Sequence, residues 1–202
     1  PRGETKGEVG DRVAIVMIGA GRACLSCHFC RYGQWKHCLN FAPDTGGGFA
    51  QYMTRKPAGL FKIPHDMDWV DGGLVEPMAV SVHGLRYGRM QPDDFVGIVG
   101  SATIGLSSIA AAKAFGARMV IASARYPHQA EAAKKMGADI VVGSEEGAFE
   151  AACLDATNGL GADFVVESVG GHQSESFTQA IKGTREQGKM PSLGGNQLPM
   201  EG

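Results

Sequence analysis

The sequence predicts an α/β protein: a metal lobe near its start, then a doubly wound parallel sheet. Three observations carry that prediction. Four cysteines crowd into residues 24–38, short apolar runs alternate with helical stretches from about residue 93, and a glycine-rich turn joins the first of those runs to the first of those helices. The 202 residues, 44% hydrophobic and 20% charged, have a globular balance that excludes disorder, and 30 glycines without a three-residue period exclude collagen. A net charge of -2 gives no electrostatic reason to expect nucleic acid or an anionic membrane as a partner. No run approaches the roughly 18 apolar residues of a membrane span, and the opening PRGETKGEVGDR lacks the apolar core of a secretion signal; a cytoplasmic location is expected.

Cys24, Cys27, Cys30 and Cys38 follow the spacing C-x2-C-x2-C-x7-C. In a reducing cytosol, thiolates this crowded point to a metal rather than to disulfides, and four sulfurs complete the tetrahedral shell of a structural zinc. Gly21 and Gly33 permit turns there, while Arg22, Arg31 and Lys36 offset part of the negative charge of a Zn–S4 centre. An iron–sulfur cluster is the rival, but the bacterial ferredoxin run has a shorter last gap and a closing proline, where this chain has Leu39. A zinc ribbon for nucleic acid is weakened by the acidic charge and by the lack of a basic and aromatic surface beyond Arg31, Tyr32, Trp35 and Lys36. His28 and His37 read as solvent-facing bystanders, and Cys153, alone in AFEAACLDA, as a buried thiol.

After this lobe, Gly46 to Gly48 mark a turn before a strand, and Glu76-Pro77 reads as a helix start. From residue 93 the pattern is regular. FVGIVG (95–100) is a strand, TIGLSSIAAAKAFG (103–116) a helix ended by Gly116, and RMVIA (118–122) a strand. PHQAEAAKKMG (127–137) is a helix with Pro127 in its first turn, DIVVG (139–143) a strand, EEGAFEAACLDATNG a helix, and DFVVESVG (163–170) a strand. Such alternation means parallel strands joined by right-handed crossovers.

The first of these strands runs into Gly100-Ser101-Ala102-Thr103-Ile104-Gly105, at the position and span of the G-x-G-x-x-G that opens a helix in a dinucleotide-binding βαβ unit. The first glycine makes the turn, the second admits the pyrophosphate, and the third lets helix and strand pack closely, with the phosphates on the helix N-terminus. Ala102 stands at the second position and costs some closeness to the phosphates. At the end of the next strand an acidic residue would bind the ribose 2′-hydroxyl of NAD. This chain has Ser123-Ala124-Arg125 instead, a hydroxyl and a cation suited to a 2′-phosphate, so NADP is preferred and NAD is the alternative.

These residues resemble the zinc-containing medium-chain alcohol and polyol dehydrogenases, in particular the sorbitol dehydrogenase-like branch. GDRVAI, GRACLSCHFCRYGQWKHC, GGGFAQYMTRKPAGLFKIPHDMDWVDGGLVEPMAVSVHGL, GIVGSATIGL and GADFVVESVGG carry the resemblance in family order over nearly the whole chain. It implies a partial GroES-like catalytic domain with a structural-zinc lobe over 1–88 and a Rossmann domain, incomplete at its C-terminus, over 89–202. It also implies reversible oxidation of an alcohol or polyol by hydride transfer to the nicotinamide, and a homodimer or homotetramer.

The same resemblance maps one ligand of a catalytic zinc onto Glu76, while His83, seven residues on, is a packing residue or a neighbour of the cofactor. The family's other catalytic-zinc ligands, a cysteine and a G-H-E histidine, have no counterpart in the chain and are expected upstream of Pro1; GKMPSLGG resembles the fifth strand with Pro191 in its middle, and further elements are expected beyond it. In the cofactor domain the segment Gly100–Gly105 would hold the pyrophosphate, Ser123 and Arg125 would face the adenosine ribose, and Ser168, Val169 and Gly170 would lie near the nicotinamide ribose. A catalytically incomplete, zinc-bearing nucleotide-binding module, whether a truncated product or a pseudoenzyme, is the second reading.

Overall fold

Alternating burial and small residues at crossing points shape the elements of this chain, whose computed structural model describes residues 7–16, 21–43, 48–171 and 174–194. They fall into two compact units, Pro1–Glu76 and Pro77–Gly202.

In the first unit, β1 (Val13–Ile15) pairs antiparallel with β2 (Leu60–Lys62), Val13 opposite Lys62 and Ile15 opposite Leu60. Lys62 reaches Asp11 at 2.8 Å, which lowers the Asp11 carboxyl and raises the Lys62 ammonium from their usual values, chiefly through that hydrogen bond. The Arg12 guanidinium, just before β1, lies 4.0 Å from the centre of the Trp69 ring, a cation–π contact. Trp69 opens α2 (Trp69–Gly73), whose first turn is capped by the Asp68 carboxylate accepting from the Val70 N–H at 2.9 Å. A single short turn, α1 (His28–Arg31), and a 3₁₀ turn at Trp35–His37 build the cysteine lobe. Of the expected turn at Gly46 to Gly48, Gly46 and Gly47 lie outside the described residues. The strand expected after it does not form among the described residues: 48–56 carries no regular element, and Phe49 and Tyr52 stand exposed.

α3 (Val75–Tyr87) runs across the division between the units. The expected boundary after Gly88 and the division at Glu76/Pro77 differ because this helix packs on the core of the second unit: Leu85 is fully buried, and Met78 and Val82 lie against the same cluster as Val96, Ile98 and Phe164.

The second unit is a five-stranded parallel sheet of order β5-β4-β3-β6-β7, formed by β3 (Phe95–Val99), β4 (Met119–Ser123), β5 (Ile140–Val142), β6 (Ala162–Glu167) and β7 (Thr184–Lys189). The chain leaves β3 toward one edge, returns beside it with β6 and continues to the other edge, which is the doubly wound Rossmann arrangement. Alternation sets the two faces. Val96, Ile98, Val120, Ala122, Phe164 and Val166 pack in one core layer, while Val99, Ile121, Val165 and Phe149 pack in the other. α4 (Thr103–Ala114) lays an Ala/Ser/Gly-rich face on the first layer, with Ile109 and Ala112 fully buried. Its buried Ser108 hydroxyl donates to Ser81, which donates to the Ile104 carbonyl at 3.1 Å, so the polar groups between α3 and α4 are satisfied.

α5 (Pro127–Lys135) begins on Pro127 as expected. α6 (Ala148–Ala156) begins three residues later than its expected start at Glu145, because Gly147, at φ +78°, adopts a left-handed conformation just before it. The fifth strand is β7, earlier and more polar than the expected GKMPSLGG. It shifts register beyond Ala162↔Thr184 and gives way to a single bridge between Glu167 and Ser192, with the Pro191 carbonyl accepting from the Glu167 N–H at 3.1 Å. Proline has no N–H to continue the ladder there. No helix among the described residues is long and apolar enough to cross a membrane.

Candidate functional site

The cysteine lobe brings its four thiols together. The ligand atoms of Cys24, Cys27, Cys30 and Cys38 all lie within 4.8 Å of one another, with Sγ–Sγ distances of 3.5 Å for Cys27–Cys30 and 4.0 Å for Cys24–Cys30 and Cys27–Cys38. A tetrahedron with zinc–sulfur bonds of about 2.3 Å has edges of about 3.8 Å, so the donor set and its spacing fit one zinc ion. The local backbone prepares the anions. The Cys27 N–H donates to Cys24 Sγ at 3.3 Å, and the N–H groups of Cys24 and Asn40 donate to Cys38 Sγ at 3.2 and 3.4 Å. The Ser26 hydroxyl, with backbone donors behind it, holds the Cys24 thiol down at about 5, and the N–H groups of Leu39 and Cys30 lower Cys27. Cys30 moves the other way, pushed up to about 12 by burial and by the neighbouring Cys27 and Cys38 sulfurs. Four thiolates this close need a cation, and Arg31, whose Nε donates to the Ser26 carbonyl, is held beside the lobe. His28 and His37 are exposed and stand outside the group of four ligands. Cys153 is fully buried, and burial alone raises its thiol to about 12.

The second site is a cleft of about 510 Å³ at the carboxyl ends of β3, β4 and β6, where a doubly wound sheet offers a ligand crevice. Gly100 takes φ +92°, and a Cβ added to it would lie 2.8 Å from Val169 Cγ2. A Cβ on Gly105 would overlap the Gly100 carbonyl oxygen, so α4 touches the turn at a point only glycine allows. Ala102 is the N-cap of α4 at φ -87°, ψ -167°, exposed, with no side-chain cap on the helix; Thr103 is exposed as well and Ile104 half-buried. An alanine therefore fits that position without strain, and the first-turn N–H groups of α4 are not taken by a capping side chain. This cradle, a glycine turn below an uncapped helix N-terminus, fits a dinucleotide pyrophosphate.

Ser123 lines the cleft, but its hydroxyl accepts from the Gly100 N–H at 3.1 Å, and its carbonyl accepts the Ser101 hydroxyl at 2.8 Å. It serves the glycine turn. Arg125 is exposed at the rim, its guanidinium 5.8 Å from the Tyr126 ring centre, with no carboxylate at the end of β4. Ser168 and Val169 lie across from Gly100, the Ser168 hydroxyl donating to the Val99 carbonyl at 2.9 Å. Glu76 is exposed in the first turn of α3, and His83, also exposed, stacks on Tyr87 at 5.8 Å. Among the described residues no second group of three metal ligands forms around Glu76.

Sequence reading missed Glu167, Ser176 and Ser192. Glu167 is fully buried and hydrogen-bonded to both serines at the edge of the cleft; the one signal for it was a glutamate closing an otherwise apolar strand.

Comparison with known proteins matches the chain in two segments. A family model described as a zinc-binding dehydrogenase matches residues 103–201, and one described as the GroES-like domain of alcohol dehydrogenases matches residues 2–65. Over 143 residues the chain is 35% identical to a sorbitol dehydrogenase of Bacillus subtilis (strain 168), covering 69% of this chain and 40% of that protein. The alcohol dehydrogenase TADH from Thermus sp. ATN1 superposes with a TM-score of 0.82 at 26% identity, over 95% of this chain and 57% of that one. A Sinorhizobium meliloti 1021 structure described as a zinc-binding dehydrogenase bound to NADP gives 0.81 at 27% identity, over 98% and 57%. The chain thus spans well under two thirds of the length of the relatives it matches.

Proposed function

Because the chain belongs to the zinc-containing medium-chain alcohol and polyol dehydrogenases, we propose that it provides the structural-zinc lobe and the nicotinamide-dinucleotide cleft of an enzyme that oxidises an alcohol or polyol. The observation that carries the reading is the cradle at Gly100–Gly105. There the N-terminal N–H groups and dipole of α4 bind the pyrophosphate, and the missing side chain at Gly105 keeps the helix against the turn. Arg125 pairs with the 2′-phosphate of NADP at the rim, and Ser168, Val169 and Gly170 bound the nicotinamide ribose. A bound nicotinamide supplies a hydride acceptor at its C4, and the protein's part is to fix the dinucleotide in one orientation. Cys24, Cys27, Cys30 and Cys38 hold a structural zinc and take no part in the chemistry. Glu76 offers one carboxylate to a second metal, and among the described residues it has no companion ligands. No observation favours a catalytically incomplete module over this reading.

Titration with NADPH and NADH, followed by nicotinamide fluorescence, tests the proposal together with zinc analysis of the purified chain. One zinc per chain and tighter binding of NADPH are expected. Arg125→Ala should weaken NADPH by about tenfold and leave NADH little changed. Equal losses for the two would refute the 2′-phosphate contact, and failure to bind either would refute the cleft's assignment.

A further inference from the structure

Among the described residues Glu167 is the one charged side chain with no exposure at all. A carboxylate in that position costs several kcal/mol unless hydrogen bonds compensate it, and β6 fills its other inward positions with Phe164, Val165 and Val166. The compensation comes from three directions. Oε1 accepts from the Val169 N–H and from the Ser176 hydroxyl in α7 (Ser174–Gly183), both at 2.9 Å, and Oε2 accepts from the Ser192 hydroxyl at 2.9 Å. The Glu167 backbone adds two bonds to the segment after β7, donating to Pro191 and accepting from Leu193. Next to it, Ser168 is bound to the Val99 carbonyl through both its N–H and its hydroxyl. One carboxylate thus joins the loop after β6, the first turn of α7 and the segment after β7, and two of its three donors, Val169 and Ser176, line the cleft.

We propose that Glu167 is a positioning residue for the nicotinamide half of the dinucleotide. It makes no contact of its own with the ligand. By accepting the Val169 N–H it fixes the path of Ser168–Gly170, and that loop is packed so closely on the phosphate turn that a Cβ at Gly100 would meet Val169 Cγ2 at 2.8 Å. Displacement of the loop therefore changes the shape of the cleft that Ser168, Val169 and Gly170 line. A purely apolar residue would fill the space but could not hold an N–H two residues ahead while gathering hydroxyls from two other segments. Glutamine could: its amide oxygen can take the Oε1 place and its NH2 can donate to Ser192 Oγ, which turns from donor to acceptor.

The inference rests on the dinucleotide reading, and the test separates the two. Wild type, Glu167→Ala and Glu167→Gln are titrated with NADPH and with adenosine 2′,5′-bisphosphate, which carries only the adenosine half; NADH and AMP replace them if NADH proves the better ligand. Glu167→Ala should weaken the dinucleotide by about tenfold, as expected for a misplaced binding loop, and leave the half-ligand within about twofold. Glu167→Gln should stay within about threefold for both. Equal weakening of whole and half ligand, or no weakening of either, would overturn the proposal. If Glu167→Ala fails to fold, Ser176→Ala removes one donor from Oε1 and should show the same selective loss in smaller measure; an unselective loss there overturns it too. A wild type that binds neither ligand would refute the dinucleotide reading, and this inference with it.

Discussion

Replacing Gly105 with alanine tests whether α4 must touch the Gly100 turn. In an ordinary helix interior the change would stabilise by about 1 kcal/mol. Here the added Cβ would overlap the Gly100 carbonyl oxygen, lie 2.8 Å from its carbon and 3.0 Å from Ser168 Oγ. None of these atoms ends a flexible side chain: Gly100 is fixed at φ +92° with its N–H on Ser123, and the Ser168 hydroxyl is bound to Val99. Overpacking of this kind costs about 1–3 kcal/mol; rigid neighbours put it near the top, and the helix gain leaves a net loss of about 2 kcal/mol. In a chain of this size the Tm should fall by about 4–8 °C, read by circular dichroism, and the NADPH titration should weaken with it. Ala102→Gly is the contrast. Ala102 is exposed at a negative φ, so restoring the glycine should move the Tm by no more than about 2 °C. A Gly105→Ala protein that melts with the wild type and binds NADPH equally well would refute the close helix–turn contact.

The cysteine lobe predicts a thiol count. With zinc bound, a disulfide reagent at pH 8 should find no fast thiol; after chelation Cys24, Cys27, Cys30 and Cys38 should react, and Cys153, fully buried with its thiol raised to about 12, should react only on unfolding. That raised value sets a sign: the stability gained by burying the neutral Cys153 thiol is present below its ordinary value of 9.0 and is lost as pH rises toward 12, so Cys153→Ala should flatten the alkaline end of the stability profile. Phe149, 1% exposed between α6 and the sheet and packed with Ile121 and Val165, should cost about 3–5 kcal/mol when cut to alanine, measured by urea unfolding.

The sheet and the metal lobe were legible because their signals are local. Four cysteines in one short loop admit few arrangements, and the β3 and β4 runs begin and end within a residue of their prediction because turn residues bound them, Pro92 to Asp94 and Gly100 for β3, Gly116 and Pro127 for β4. β7 was not legible: TREQGK is polar throughout, and it becomes a strand only through pairing with β6 at the sheet edge, including Arg185 to Asp163 at 2.6 Å. α7 shows the same limit. Its buried face is interrupted by Ser176, which is held there by Glu167, a partner nine residues earlier that no local pattern announces. Ser123 was identified as a cleft residue, yet its hydroxyl serves the glycine turn, a role that depends on a contact 23 residues back.

The strand order carries a consequence for the birth of the molecule. β3 meets β4 after one crossover, but it meets β6 only when the chain has travelled far enough for the Phe95 N–H to find Asp163, 68 residues on. Closing so long a loop is slow compared with forming the β3–β4–β5 half. During synthesis that half emerges first and waits with one flank of β3, Val96 to Val99, unsatisfied and open to any passing extended segment. The strand that ends in the Gly100 turn is thus exposed to misassembly in the newborn chain, and the residues that end the danger are those of β6.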